Sequence, residues 1–283
     1  MNIENNTKSE PALRLPGLFW LPFGLLAAVY LPALIDLVSD WWQDPNYSHG
    51  FLVPVVSAWL LWSKRDTLPR TLSPGAPIGL AMIIGGALLF VLANGAAEYF
   101  TIRFSLILTL FGLLWYLWGY EFIRRAWFEL TFLLFMIPIP YVIYYAITFP
   151  MQLLSSKITV AVLNFMGAGA IRQGNIIHLA DTSLEVAEAC SGMRSLISLL
   201  ALGALYAWLS NQRTPGKWIL FVSTIPIAIF SNVVRVLVTS VLAYTGGFDV
   251  VSEPAHSILG LIVFLVALMV LFFESAILRR LLR

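Results

Sequence analysis

Apolar stretches long enough to cross a bilayer recur along this chain, and they constrain it more than any other feature. The first runs from about Leu15 to Ile35 without a charge. A spanning helix needs roughly 20 mostly apolar residues, and about eight such stretches take up most of the chain. Lipid offers no partner for an unpaired backbone N–H or C=O, so spans of this kind are read as helices. Charged residues make up only 11% of the composition and apolar ones 59%. A soluble domain carries about 25% charged residues. The fold class is therefore read as all-α: one polytopic transmembrane bundle over residues 1–283, with residues 1–14 as a cytoplasmic tail.

The expected spans are Leu15–Leu37, Gly50–Ser63, Ile78–Ala97, Phe104–Tyr120, Ala126–Ala146, Gly192–Leu209, Trp218–Tyr244 and His256–Ile277. The first is too long for a signal-peptide core and is read as retained. Pro138 and Pro140 should kink or break the fifth. Between spans five and six, residues 148–190 form an expected extracytoplasmic segment. Met151–Met166 reads as an amphipathic helix lying on the membrane surface. Ala170–Val186 reads as a hairpin or ribbon around Arg172-Gln173-Gly174-Asn175.

Basic residues orient the bundle, because Lys and Arg accumulate in short cytoplasmic loops. Lys8 and Arg14 precede span one. Lys64, Arg65 and Arg70 follow span two, Arg124 and Arg125 follow span four, and Arg213 and Lys217 follow span six. Arg279, Arg280 and Arg283 close the chain. Asp40, Asp44, Glu98, Asp181, Glu185, Glu188, Asp249 and Glu253 fall in the intervening loops, with Arg103, Lys157 and Arg172 as exceptions. Both termini are thus expected in the cytoplasm, which requires an even number of spans.

Three chemically capable residues share one expected depth on the other side. The single cysteine, Cys190, precedes span six. His256 opens span eight. Arg235 lies about 18 residues, or about 27 Å, along span seven from Lys217. A thiolate near a cation and a helix N-terminus is a competent nucleophile. Imidazole can exchange protons with a thiol or a leaving amine. A guanidinium is permanently charged and can hold an oxyanion or a substrate carbonyl. Each also has a structural reading: a buried small thiol, an interfacial histidine, a snorkelling arginine. Asn232, three residues before Arg235, could position a carbonyl or pack helices. Glu185 and Glu188 could orient His256 or Arg235, or cap span six. His49 is a fallback base, and His178 reads as a surface residue. The three histidines lack the spacing of metal ligands, so no metal and no cofactor is expected. A lone cysteine permits no internal disulfide.

Glu188-Ala189-Cys190-Ser191-Gly192-Met193-Arg194-Ser195-Leu196 resembles the cysteine motif of the exosortase family. Ser231-Asn232-Val233-Val234-Arg235-Val236 resembles its Asn-x-x-Arg motif, and His256-Ser257-Ile258-Leu259-Gly260 its His-x-x-x-Gly motif. Upstream, Asp44-Pro45-Asn46-Tyr47-Ser48-His49-Gly50 is similar to the family's amino-terminal Tyr-Ser-His-Gly segment. The resemblance implies a membrane cysteine protease or transpeptidase of the inner membrane, with its active site on the periplasmic side. Cys190 would be the nucleophile, Arg235 the transition-state stabiliser and His256 the acid/base. The implied partners are exported proteins whose carboxy-terminal signal combines a short motif, often Pro-Glu-Pro, with a helix and a basic tail. A cell-surface acceptor would receive the cleaved end. Membrane lipid is a further partner, and nucleic acid is not. The alternative is a transporter or flippase for an envelope precursor, with Arg235 binding an anionic head group.

Overall fold

The computed structural model of the protein describes residues 17–69, 71–72, 75–180, 183–186, 193–246 and 253–281. Of residues 17, 18, 193 and 253–257 it describes the backbone alone. The described chain is mostly helical. α1 (Leu21–Val29) and α2 (Leu31–Gln43) are joined at Tyr30 and bent by 61°. Pro32 enters α2 in its first turn, where its missing N–H is harmless, and so starts a new helix instead of continuing α1. The expected first span, Leu15–Leu37, is thus divided between two helices that meet at Tyr30. Buried Tyr30 pins the bend through its hydroxyl, 2.9 Å from Ser105 Oγ.

A 3-10 turn, Ser48–Phe51, leads into α3 (Leu52–Ser63). α4 (Pro77–Gly95) packs along the first half of α5 (Tyr99–Phe132). Their axes approach closely because Gly79 and Gly112 face each other. A Cβ on Gly79 would lie 2.5 Å from the Tyr116 nitrogen. Glu98 caps α5, accepting from the N–H groups of Phe100 (3.2 Å) and Thr101 (2.7 Å). Gly119 breaks α5 with φ 77° and ψ −175°, a conformation that suits only glycine. The second half of α5 then packs on α3, where Ser57 donates to the Glu129 carbonyl at 2.6 Å. There Lys64 Nζ lies 2.6 Å from the fully buried Glu129 carboxylate.

The expected fifth span, Ala126–Ala146, is not one helix. Pro138 and Pro140 end it, and a new helix, α6 (Tyr141–Phe165), begins directly after them. The expected surface helix Met151–Met166 is correspondingly the second part of α6, a helix long and apolar enough to span. Most of its polar side chains are turned inward, with Lys157 and Asn164 exposed. Gln152, Ser155, Ser156 and Thr159 are buried, and α6 packs on α8 (Thr214–Thr245) and on a three-stranded antiparallel ribbon. The ribbon comprises β1 (Ile171–Gln173), β2 (Ile176–His178) and β3 (Ser183–Glu185), in that order. Gly174, at φ 64°, turns the first hairpin, so Arg172 and Gln173 belong to the strand and not to the turn.

α7 (Met193–Leu209), α8 and α9 (Glu253–Leu281) complete the bundle. Among the described residues, five helices are long and apolar enough to cross a membrane, and six if α1 and α2 form one broken span. Against the eight expected, the helices at Ser48–Ser63 and Arg194–Leu209 are apolar but shorter than the roughly 20 residues a span needs.

Candidate active site

Arg235 sits on α8 at 7% exposure, deep in an apolar helix, where an unsolvated charge is costly unless polar groups surround it. Its Nη2 donates to Asn232 Oδ1 at 3.2 Å, one helical turn earlier. The Asn232 amide, 2% exposed, in turn donates through Nδ2 to Ser155 Oγ on α6 at 3.2 Å. This Ser–Asn–Arg relay crosses from one helix to the next. It fixes the orientation of the Asn232 carbamoyl group, because each end of that group has a different partner.

On the opposite side Arg235 meets α9. A Cβ built on Gly260 would lie 3.5 Å from Arg235 Nη1, so the glycine leaves room for the guanidinium at that helix surface. α8 and α9 run antiparallel, tied also by Ser231 Oγ donating to the Val263 carbonyl at 3.3 Å. His256 lies on α9 four residues before Gly260, about 6 Å along the axis. Its side chain lies outside the described residues.

Cys190 and Glu188 also lie outside the described residues. The described chain before and after them packs beside α8. Val186, 3% exposed, is hydrogen-bonded to the Asn175 carbonyl at 3.0 Å. It packs in one apolar cluster with Ile177 and with Val236, the neighbour of Arg235. After the gap, α7 runs antiparallel to α8. A Cβ on Gly203 would touch the Thr224 methyl, and Lys217 Nζ donates to the Trp208 carbonyl at 2.8 Å. Continuing that register at ~1.5 Å per residue puts the start of α7 about level with Val233.

The other expected residues are elsewhere. Glu185 is exposed on β3, and His178 Nδ1 lies 2.7 Å from Ser183 Oγ on the ribbon. Half-buried His49 lies with its Nε2 3.2 Å from the Phe135 carbonyl. It belongs to a clamp on the Phe135–Ile139 stretch: Trp41 Nε1 donates to the Met136 carbonyl at 2.8 Å, and the Tyr47 hydroxyl bonds to the backbone of Ile139. Burial of that phenol pushes its pKa up to about 12, despite the backbone hydrogen bond. Gly50 is required there, since a Cβ would fall 2.2 Å from Trp41 Nε1. The clamp shares a core with Tyr144, Met151 and the first turns of α7 at Leu196 and Ile197. The conspicuous Tyr-Ser-His-Gly segment thus supports the base of the helix that follows Cys190.

Ser155 was not singled out by sequence. Its signal was the spacing of Thr148, Gln152, Ser155, Ser156 and Thr159, which puts all five on one helix face. Arg103, an exception in the loop charges, is explained by its pairing with Asp40 at 2.7 Å. Among the described residues, no three His, Cys, Asp or Glu side chains gather closely enough to share a metal ion.

The sequence profile described as Transmembrane exosortase (Exosortase_EpsH) matches residues 41–273. No curated protein and no solved structure matches the chain.

Proposed function

Because this chain belongs to the transmembrane exosortase family, whose members are membrane cysteine peptidases or transpeptidases, we propose that it cleaves carboxy-terminal sorting signals of exported proteins. The observation that carries the proposal is the buried Arg235, oriented by Asn232 and Ser155 and open toward Gly260 of the His-x-x-x-Gly motif. A fixed cation in a dry, apolar site is worth most where negative charge develops during reaction. In the proposed reaction the Cys190 thiolate attacks the scissile carbonyl, and Arg235 stabilises the resulting oxyanion. His256 gives a proton to the leaving amine as the C–N bond breaks, leaving a thioester on Cys190. An acceptor nucleophile at the cell surface, or water, then attacks the thioester and releases the thiol.

Chain length supports this assignment. A chain covers at most ~3.6 Å per residue, so the four residues from Val186 to Cys190 allow roughly 14 Å. Val186 packs beside the residue next to Arg235. Orientation is supported by charge. The basic residues Lys64, Arg125 and Lys217 gather at the end of the bundle remote from Arg235, where Lys64 and Lys217 both rest on Trp208. Lys217 and Arg235 are about 27 Å apart along α8. By the positive-inside rule, this distribution of charge supports the reading that the basic end faces the cytoplasm and the Arg235 end the periplasm.

The test uses the fact that the chain has one cysteine. A membrane-impermeant maleimide applied from the periplasm should label Cys190 and block processing of a sorting-signal substrate. Cys190→Ala should remain inserted and process nothing, and hydroxylamine should release a trapped thioester from the wild type only. Full processing by Cys190→Ala would end the peptidase reading and favour the transporter.

A further inference from the structure

At the end of the bundle remote from Arg235, two ammonium groups lie over one indole. Lys64 Nζ is 4.6 Å and Lys217 Nζ 5.2 Å from the centre of the Trp208 ring. Their charges are balanced unequally. Lys64 has the Glu129 carboxylate at 2.6 Å, whereas Lys217 donates to the neutral Trp208 carbonyl. Among the described residues no carboxylate is paired with Lys217 or with exposed Arg213. α8 begins between them at Thr214, so the unbonded N–H groups and the positive end of its dipole add to the same spot.

An apolar cleft adjoins this cationic corner. Its volume is about 680 Å³, and Thr214, Arg213 and Lys217 line one end of it. Trp127, Phe128, Phe132, Trp208, Trp218 and Phe221 wall the rest. Phe128 stacks on Trp208 at 4.5 Å and 8°, which makes that wall rigid. Trp127 and Trp218 are exposed, so the cleft is open at the flank of the bundle.

We infer that this cleft binds an anionic phospholipid, with its phosphate at Arg213, Lys217 and the start of α8 and an acyl chain between the aromatic walls. Among the described residues, the corner has positive charge without a carboxylate counter-ion, and the cleft has apolar surface without a cover. One molecule that is anionic at one end and hydrocarbon at the other satisfies both. A sorting substrate's own helix is a poorer fit, because its basic tail would meet like charge here. The inference is independent of the peptidase reading.

The test is tryptophan quenching of the purified full-length protein by phospholipids carrying brominated acyl chains. Brominated phosphatidylglycerol should quench at about 30-fold lower lipid fraction than brominated phosphatidylcholine, given ~1 kcal/mol for each of the two basic residues near an anionic head group. Trp208→Phe should reduce the quenched amplitude. Arg213→Gln with Lys217→Gln should abolish the preference between the two lipids, and Arg213→Lys with Lys217→Arg should keep it. Arg213→Gln alone, at an exposed position, should lower the preference by about fivefold, which guards against misfolding of the double variant. Equal quenching by the two lipids in the wild type, or an undiminished preference in both Gln variants, overturns the inference. So does displacement of the brominated lipid by a sorting-signal helix peptide, which would give the cleft to the substrate.

Discussion

Arg235 and Asn232 lie one turn apart on the same helix, and the guanidinium donates to the asparagine oxygen at 3.2 Å. A hydrogen bond between near neighbours on one helix cannot fix a side chain in the bundle by itself. It does so here because the other end of the Asn232 amide reaches Ser155 on α6. The arginine is thereby held relative to a second helix and, through Gly260, relative to a third.

Breaking this relay should act on catalysis in graded fashion. Asn232→Ala removes a buried acceptor from a cation and should lower processing by about 100-fold, on the scale of losing one positioned oxyanion-stabilising contact. Ser155→Ala removes one neutral hydrogen bond, worth ~1 kcal/mol, and should lower it by about fivefold. Ser155→Thr should recover most of the loss. Single-turnover processing rates in proteoliposomes check this, and an Asn232→Ala rate equal to wild type would contradict it.

Gly260 should tolerate one carbon and no more. An added Cβ at 3.5 Å from Arg235 Nη1 is ordinary contact, so Gly260→Ala should process at near the wild-type rate. Gly260→Leu fills the space the guanidinium occupies and should abolish processing while the protein still inserts. Membrane fractionation with the processing assay separates these effects.

Gly50 and Trp41 should be strongly coupled. Gly50→Ala brings a methyl to 2.2 Å from Trp41 Nε1 and displaces the indole from the Met136 carbonyl. Overpacking of this kind costs about 1–3 kcal/mol. In a Trp41→Leu background the same Gly50→Ala change should cost little. Thermal unfolding of the four proteins in detergent measures the coupling, and additive losses would refute the contact.

Glu98 should give the fold an acid-sensitive contribution. Partial burial works against its charged form, but hydrogen bonds from Thr101 and from the Phe100 backbone, with Arg103 nearby, outweigh it. The carboxyl is held below its ordinary value of 4.5 in the folded protein. The contribution is therefore present above the unfolded pKa and is lost as pH falls through the lower folded one. Glu98→Gln should lower the unfolding temperature at pH 6 and make it less sensitive to pH below about 4.5. Parallel slopes for the two proteins in that range would exclude the role.

The polar stripe of α6 marks where sequence reading failed. Buried Gln152, Ser155, Ser156 and Thr159 give the same periodic signal as a helix floating on headgroups, and periodicity alone does not say whether water or protein meets that face. The prolines after Met136 were legible as a break, but not that the chain beyond them would be one long helix. His49 was legible as a chemically capable residue, yet its neighbours are the carbonyl of Phe135 and the clamp around Trp41. Ser155 carried no motif. Only its distance from Asn232 distinguishes it from other helix serines.

The sequence by itself determined the solvent, the helical class and the identity of Arg235 as unusual, because hydropathy and charge are properties of single residues and short windows. Only the tertiary structure decided that α6, α8 and α9 meet around that arginine. Contacts between residues 155, 232 and 260 depend on how helices far apart in the chain pack, and a linear pattern carries no distance between them.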